Sequence, residues 1–286
     1  MISVVIPALN EEIAIGATIA AVSRELTAAN LVPFEIVVVD DGSSDQTGKI
    51  AAGAGAKVIR HPHNIGYGRS LKNGIAAAQY DMVAICDADG TYPASAIPEL
   101  VRLHRDGYDM AVGQRQGPHY RESLLKMPMR ALLRFLVEWT AGRHIPDINS
   151  GLRVFSRAAV MQYFSHLCDT FSFTTSMTLA YLMTGRFVAY TPIDYFERAG
   201  RSKVRLLRDA LRTLQYVVEA ILYYNPLKIF LLFSICLVAS ALMMAVSFYF
   251  AIVTGVILAV GTAMVSVIIF GIGLLAVLLK QIMDKA

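Results

Sequence analysis

The chain has 286 residues, 55% of them hydrophobic, and a formal net charge of +4, with a mean hydropathy of +0.50. That balance suits one catalytic domain joined to membrane segments better than a purely soluble protein, and so small a charge argues against a nucleic-acid partner. The three cysteines, Cys86, Cys168 and Cys236, have neither CxxC nor metal-ligand spacing and read as free thiols in a reducing compartment.

Taken in order, the first half alternates short β-rich runs with Ala-rich helical ones. Residues 2–7, 35–40, 57–60 and 82–86 are predicted buried strands, and the helices between them make βαβ units of a mostly parallel sheet. Residues 2–6 are apolar without a basic flank or cleavage site, so no signal peptide is expected and the catalytic domain should stay cytosolic. Open sheets of this kind bind ligands at the carboxyl ends of their strands. Those ends are polar here: Asn10 and Glu11, then Asp40 and Asp41, then Asp87 and Asp89, all expected to converge on one crevice. A strand at 110–113, a helix around 123–141, the segment 145–155, a helix at 172–183 and a strand at 187–193 then close the domain.

Residues 204–223 place Leu207, Leu211, Leu214, Val218 and Ile221 at helical spacing, with Arg205, Arg208, Arg212 and Glu219 on other faces. The basic face and the position beside the apolar segment favour a helix lying in the membrane plane; packing on the domain's own core would give the same periodicity. From Leu227 to Leu279 the only charge is Lys228. As one helix that run would extend about 80 Å, against a hydrocarbon core of about 30 Å, so two spans are expected. The break is predicted between Tyr249 and Gly255, with Tyr249 and Phe250 at an interface and Thr254 and Gly255 in a turn. Basic residues on both flanks, among them Lys228, Lys280 and Lys285, put both ends of this hairpin in the cytoplasm.

Asp87-Ala88-Asp89 follows directly on a predicted strand. In extended chain residues i and i+2 point the same way, so the two carboxylates face one point past the strand end, as a hard divalent cation requires; capping the helix that starts near Ala94 is the competing role. For Asp40 and Asp45 turn and cap duty is the favoured reading. Asn64-Ile65-Gly66-Tyr67-Gly68-Arg69 opens a helix with glycines, which serves a tight strand-to-helix turn as well as a phosphate.

The stretches Ser3 to Glu12 and Val38 to Asp45, together with Asp87-Ala88-Asp89, closely resemble glycosyltransferase family 2, whose α/β nucleotide-binding fold is called GT-A. The resemblance implies that Pro7, Glu11 and Asp41 hold the nucleoside of a GDP- or UDP-sugar, that Asp87, Ala88 and Asp89 lie at its diphosphate, and that Asp87 and Asp89 bind Mg2+ or Mn2+. Gly113-Gln114-Arg115, Asp147-Ile148-Asn149-Ser150-Gly151-Leu152-Arg153 and Phe196-Glu197-Arg198-Ala199-Gly200-Arg201-Ser202-Lys203 narrow the likeness to the dolichol-phosphate mannose synthase and polyprenyl-phosphate hexose transferase branch. Arg115, Arg153, Arg198 and Lys203 would then surround the donor diphosphate and the acceptor phosphate, for which guanidinium forks are well shaped. By family position Asp147 is the candidate base, or else orients the acceptor or Arg153. Thr91 stands where the branch often has Gln. The implied organisation is a catalytic domain at 1–200, an interface helix at 201–225 and a transmembrane hairpin at 226–286, anchored in the plasma (inner) membrane. Homo-oligomers are left open.

Overall fold

In the computed structural model residues 1–117, 135, 137–139, 141–197, 214–215, 218–219, 221–223, 225–247 and 252–283 are described. Apolar runs too short for helices form the strands β1 (Ile2–Ala8), β2 (Phe34–Asp40), β3 (Lys57–Arg60), β4 (Met82–Ile85), β5 (Met110–Gln116), β6 (Arg153–Ser156) and β7 (Val188–Asp194). The helices among them are α1 (Ile15–Ala28), α2 (Thr47–Gly53), α3 (Tyr67–Ala77), α4 (Ile97–Arg105), α5 (Arg157–Met161) and α6 (Phe173–Met183). The strands make one sheet in the order β3-β2-β1-β4-β6-β5-β7.

Neighbours β3, β2, β1 and β4 are parallel, as are β5 and β7. Only β6 is reversed, antiparallel to both β4 and β5. Because β1 and β2 are covered on both faces, they read as continuous apolar runs and not as alternating ones. Ile15, Ile19, Val22 and Leu26 of α1 meet Val4, Ile6 and Val38 together with Ile97, Leu100 and Val101 of α4 in one buried core. At about 25 cal/mol per Å² of apolar surface removed from water, each such Leu or Ile contributes roughly 1.5–3 kcal/mol.

The strand β6 was not expected within 145–155. Its four residues begin with Arg153, a charge that argues locally against a buried strand, and the pairing partners that outweigh it are distant in sequence. The reversal positions the site. With β6 running against its neighbours, the loop that precedes it, residues 147–152, sits at the carboxyl ends of β4 and β5.

The chain divides into two compact units, Met1–Val217 and Val218–Ala286. In the second, α7 (Pro226–Ser247) and α8 (Ile252–Met283) are each long and apolar enough to cross a membrane. They pair through reciprocal hydrogen bonds, Ser234 Oγ to the Ser266 carbonyl at 3.1 Å and Ser266 Oγ to the Ser234 carbonyl at 2.9 Å. Thr254 and Gly255 lie within α8 and not in the turn expected there. In an apolar segment a helix satisfies its own backbone groups, which outweighs the turn preference of glycine. Tyr249 and Phe250 lie outside the described residues, as do most of the helix expected around 123–141 and Arg205, Arg208 and Arg212 of the amphipathic segment; its described residues 214–215, 218–219 and 221–223 are helical.

Candidate active site

The ends of β1 and β2 are tied to each other by their own polar residues. Asn10 N–H donates to Ser43 Oγ at 2.9 Å, Glu11 N–H to Thr47 Oγ1 at 2.8 Å, and Ser44 N–H to Asn10 Oδ1 at 2.8 Å. Pro7 is buried within β1 opposite Val39, and Glu11 sits half-buried where the chain leaves that strand. Asp40 Oδ1 accepts from Ser43 N–H and Asp45 Oδ1 from Thr47 N–H, the turn duty expected of both.

Asp41 is buried and faces the turn after β3. Its Oδ1 meets His61 Nδ1 at 2.8 Å and accepts from Ile65 N–H at 3.0 Å, while Oδ2 accepts from Gly66 N–H at 2.9 Å. His61 Nε2 lies 2.9 Å from Asn73 Nδ2, so an imidazole protonated at Nδ1 satisfies both neighbours. This carboxylate thus organises the 61–66 turn, and Oδ2 has acceptor capacity for one more donor such as a base N–H.

The glycines of that turn serve close backbone approach. A Cβ on Gly68 would lie 2.3 Å from the Cys168 carbonyl oxygen, and one on Gly66, where φ is +117°, 2.8 Å from that of Asp169. Arg69 N–H donates to the Asp169 carbonyl at 2.8 Å. The start of α3 is therefore covered by the 168–170 loop, which favours the turn role over phosphate binding.

Asp87 and Asp89 lie just past β4, where the chain enters a turn at residues 88–89 and not the extended stretch expected there. Asp87 Oδ1 accepts from the Tyr67 hydroxyl at 2.8 Å. Burial first and then the charge of Asp87 push the Tyr67 phenol well above its ordinary range, so it stays a donor. Asp89, 7% exposed, has Oδ1 held by Thr91 N–H at 3.2 Å and Thr91 Oγ1 at 2.7 Å. Thr91 thereby orients the second carboxylate. Between them Ala88 is buried, its carbonyl 3.2 Å from Thr18 Oγ1. A Cβ on Gly151 would come within 2.6 Å of Asp87 Oδ2, so the bare backbone there forms a cradle that the carboxylate fills.

This donor set fits a hard divalent cation: two carboxylates from one strand end, without a soft ligand. No group of three His, Cys, Asp or Glu residues gathers among the described residues. A Mg2+ ion held there would need substrate phosphates and water to complete its shell.

At the carboxyl end of β5, Arg115 forms a two-pronged pair with Asp147. Nε to Oδ2 and Nη2 to Oδ1 are both 2.8 Å; Arg115 N–H adds a bond to Oδ2 at 3.1 Å and Asn149 N–H one to Oδ1 at 3.1 Å. Burial pushes the Asp147 carboxyl up, but the hydrogen bonds and charge of Arg115 and the two backbone donors hold it below the usual carboxylate range. Arg115 also lies 5.4 Å from the centre of the Tyr195 ring, which stacks edge-on against Tyr92. Tyr92 in turn receives Gly151 N–H at 2.7 Å.

Arg153 departs from the place that the resemblance implies. It is 0% exposed, with Nε on the Ser150 carbonyl at 2.8 Å, Nη2 on the Ile148 carbonyl at 2.8 Å and Nη1 on Thr178 Oγ1 at 2.6 Å. A guanidinium held in this way ties the 147–152 loop to Thr178 and is covered by it. Asp147 accepts hydrogen bonds from Arg115 and Asn149, and its charge acts on the nearby Arg153. Arg198 and Lys203 lie outside the described residues; the chain approaches them past Phe196, whose N–H bonds the Thr91 carbonyl at 3.0 Å. Sequence reasoning missed Tyr67, His61, Asn73 and Tyr92. Of these only Tyr67 carried a signal, its place in Gly66-Tyr67-Gly68.

Residues 3–164 match the family model described as Glycosyl transferase family 2. A dolichyl-phosphate hexose transferase of Haloferax volcanii is 31% identical over 205 residues, 71% of this chain and 86% of that protein. An undecaprenyl-phosphate 4-deoxy-4-formamido-L-arabinose transferase of Edwardsiella ictaluri is 29% identical over 236 residues, 79% of this chain and 69% of that one. Among solved structures, glucosyl-3-phosphoglycerate synthase of Mycobacterium tuberculosis, in complex with Mn2+, UDP and phosphoglyceric acid, superimposes with a TM-score of 0.62 at 23% identity, covering 77% of this chain and 78% of that one. The fold is GT-A-like. The chain belongs to glycosyltransferase family 2.

Proposed function

We propose that this glycosyltransferase moves a hexosyl group from a nucleotide sugar, of the GDP-mannose or UDP-glucose type, to a polyprenyl or dolichyl phosphate with inversion. The observation that carries the acceptor class is the state of Asp147, ionised and with both oxygens in the fork of Arg115. A carboxylate held so is a poor general base. A lipid hydroxyl would need one, whereas a phosphate monoester, with a second pKa of about 6, is already largely ionised at neutral pH. The names of the Haloferax and Edwardsiella relatives support the same acceptor class.

In this reading Pro7, Glu11 and Asp41 hold the nucleoside, Ala88 lies with Asp87 and Asp89 at the diphosphate, and those two carboxylates hold a divalent metal, Mg2+ or Mn2+. When bound, the cation neutralises charge on the departing nucleoside diphosphate. Arg115, oriented by Asp147, joins Arg198 and Lys203 in balancing the phosphates, and Arg153 keeps the 147–152 loop in place. An acceptor phosphate oxygen bonds to the anomeric carbon from the face opposite the breaking bond to the diphosphate, hence inversion. Residues 1–200 form the catalytic domain on the cytoplasmic side of the plasma (inner) membrane; 201–225 lie in the interface and 226–286 form the hairpin. The test is transfer of labelled sugar from UDP- and GDP-sugars to polyprenyl phosphate in membranes. Wild type should yield the lipid-linked product, and Asp89→Asn should not; full activity in that variant would sink the metal assignment.

A further inference from the structure

Asp41 and Asp87 follow different strands, β2 and β4, yet three consecutive residues connect them. Ile65 N–H and Gly66 N–H both donate to Asp41, and the hydroxyl of the next residue, Tyr67, donates to Asp87 Oδ1 at 2.8 Å. The backbone on the far side of Tyr67 is equally fixed. Gly68 lies against the Cys168 carbonyl without room for a Cβ, Arg69 N–H bonds the Asp169 carbonyl, and Lys72 Nζ bonds the Leu167 carbonyl and Asp169 Oδ1, each at 2.6 Å. The Tyr67 ring stands 6.3 Å from that of Phe171. A phenol whose backbone is pinned on both sides cannot follow a drifting carboxylate; instead it fixes one. Gly151 leaves room for Asp87, since a Cβ there would come within 2.6 Å of Oδ2.

We propose that Tyr67 is a positioning residue for the metal carboxylate, presented to Asp87 by a turn that the nucleoside carboxylate Asp41 holds. Tyr67 settles the Asp87 rotamer through Oδ1, so that the carboxylate is set for the cation before the donor arrives. Outer partners of metal-binding carboxylates act in this way, and their loss typically costs about ten- to hundredfold in metal affinity. The proposal rests on the metal reading given above.

The test is Mn2+ affinity of the full-length protein, from the electron paramagnetic resonance signal of free Mn2+, with saturating UDP in one arm and GDP in the other. Tyr67→Phe keeps the ring and removes only the hydroxyl. The Mn2+ dissociation constant should rise about tenfold or more, the affinity for the nucleotide in EDTA should stay as in wild type, and excess Mn2+ should restore part of the lost turnover. Mn2+ affinity within twofold of wild type in a normally folded Tyr67→Phe would overturn the positioning role. Asp87→Asn separates the two levels. If it loses Mn2+ while Tyr67→Phe retains it, the positioning role alone fails; if Asp87→Asn and Asp89→Asn both keep Mn2+, the metal reading fails and takes the proposal with it.

Discussion

Replacing Asp147 by Asn distinguishes an anchor for Arg115 from a general base. The carboxylate is 2% exposed and accepts four hydrogen bonds, three of them from Arg115. An amide of the same shape keeps one acceptor oxygen. Its NH2 faces either the Arg115 Nε and N–H that Oδ2 receives or the Nη2 and Asn149 N–H that Oδ1 receives, donor against donor. Removing one partner of a buried ion pair costs about 3–5 kcal/mol. For a domain of this size that is a fall in Tm of about 6–20 °C, at about 2–4 °C per kcal/mol. The pH dependence follows from the lowered pKa of Asp147. Because the folded value lies below the unfolded one, the stabilisation is fully present above the ordinary carboxylate value of about 3.9 and is lost as pH falls through the folded value. The deficit of Asp147→Asn should therefore be complete at pH 7 and shrink below about pH 4. Thermal unfolding of detergent-solubilised protein across pH, alongside turnover, reads both. Arg115→Ala should lower turnover in parallel, and the double variant should lose less than the sum. A variant with wild-type Tm and no turnover would refute this reasoning and restore Asp147 as a base.

Three further outcomes follow from the geometry. Gly151→Ala places a Cβ 2.6 Å from Asp87 Oδ2, the end of a short side chain; Tm should hardly change while turnover falls about tenfold or more, since misplacing a reacting group by about 1 Å can cost 10²-fold. Gly68→Ala meets backbone instead, at 2.3 Å from the Cys168 carbonyl oxygen, so the fold must yield and Tm should drop, a loss of about 1–3 kcal/mol as for other overpacked sites. Arg153→Met strips donors from the Ser150 and Ile148 carbonyls and from Thr178. At about 1–3 kcal/mol for each buried polar group left unsatisfied, it should unfold at lower temperature than wild type at neutral pH; unchanged stability would return Arg153 to the phosphates.

The parallel half of the sheet was legible in the residues because its signal is local. Runs such as Val37-Val38-Val39 are apolar on both faces and end in carboxylates, which in a parallel sheet must all emerge on one side. The position of Asp87 and Asp89 just past β4 could be read in the same way, from the apolar run before them. What the sequence withheld was which charges pair. Arg115, Asp147 and Arg153 look alike as motif residues, and their roles separate only when β6 runs backwards between β4 and β5. That reversal buries Arg153 under its own loop and brings Asp147 to Arg115 across 32 positions of sequence. Tyr67 shows the same limit. Its hydroxyl reaches Asp87 only because the backbone around it is clamped by Asp41 on one side and by residues 167–170 on the other. Local pattern determined where the strands end and which residue types stand there; tertiary contacts decided how those side chains pair and which hold the others still, because desolvation and pairing depend on neighbours far away in the chain.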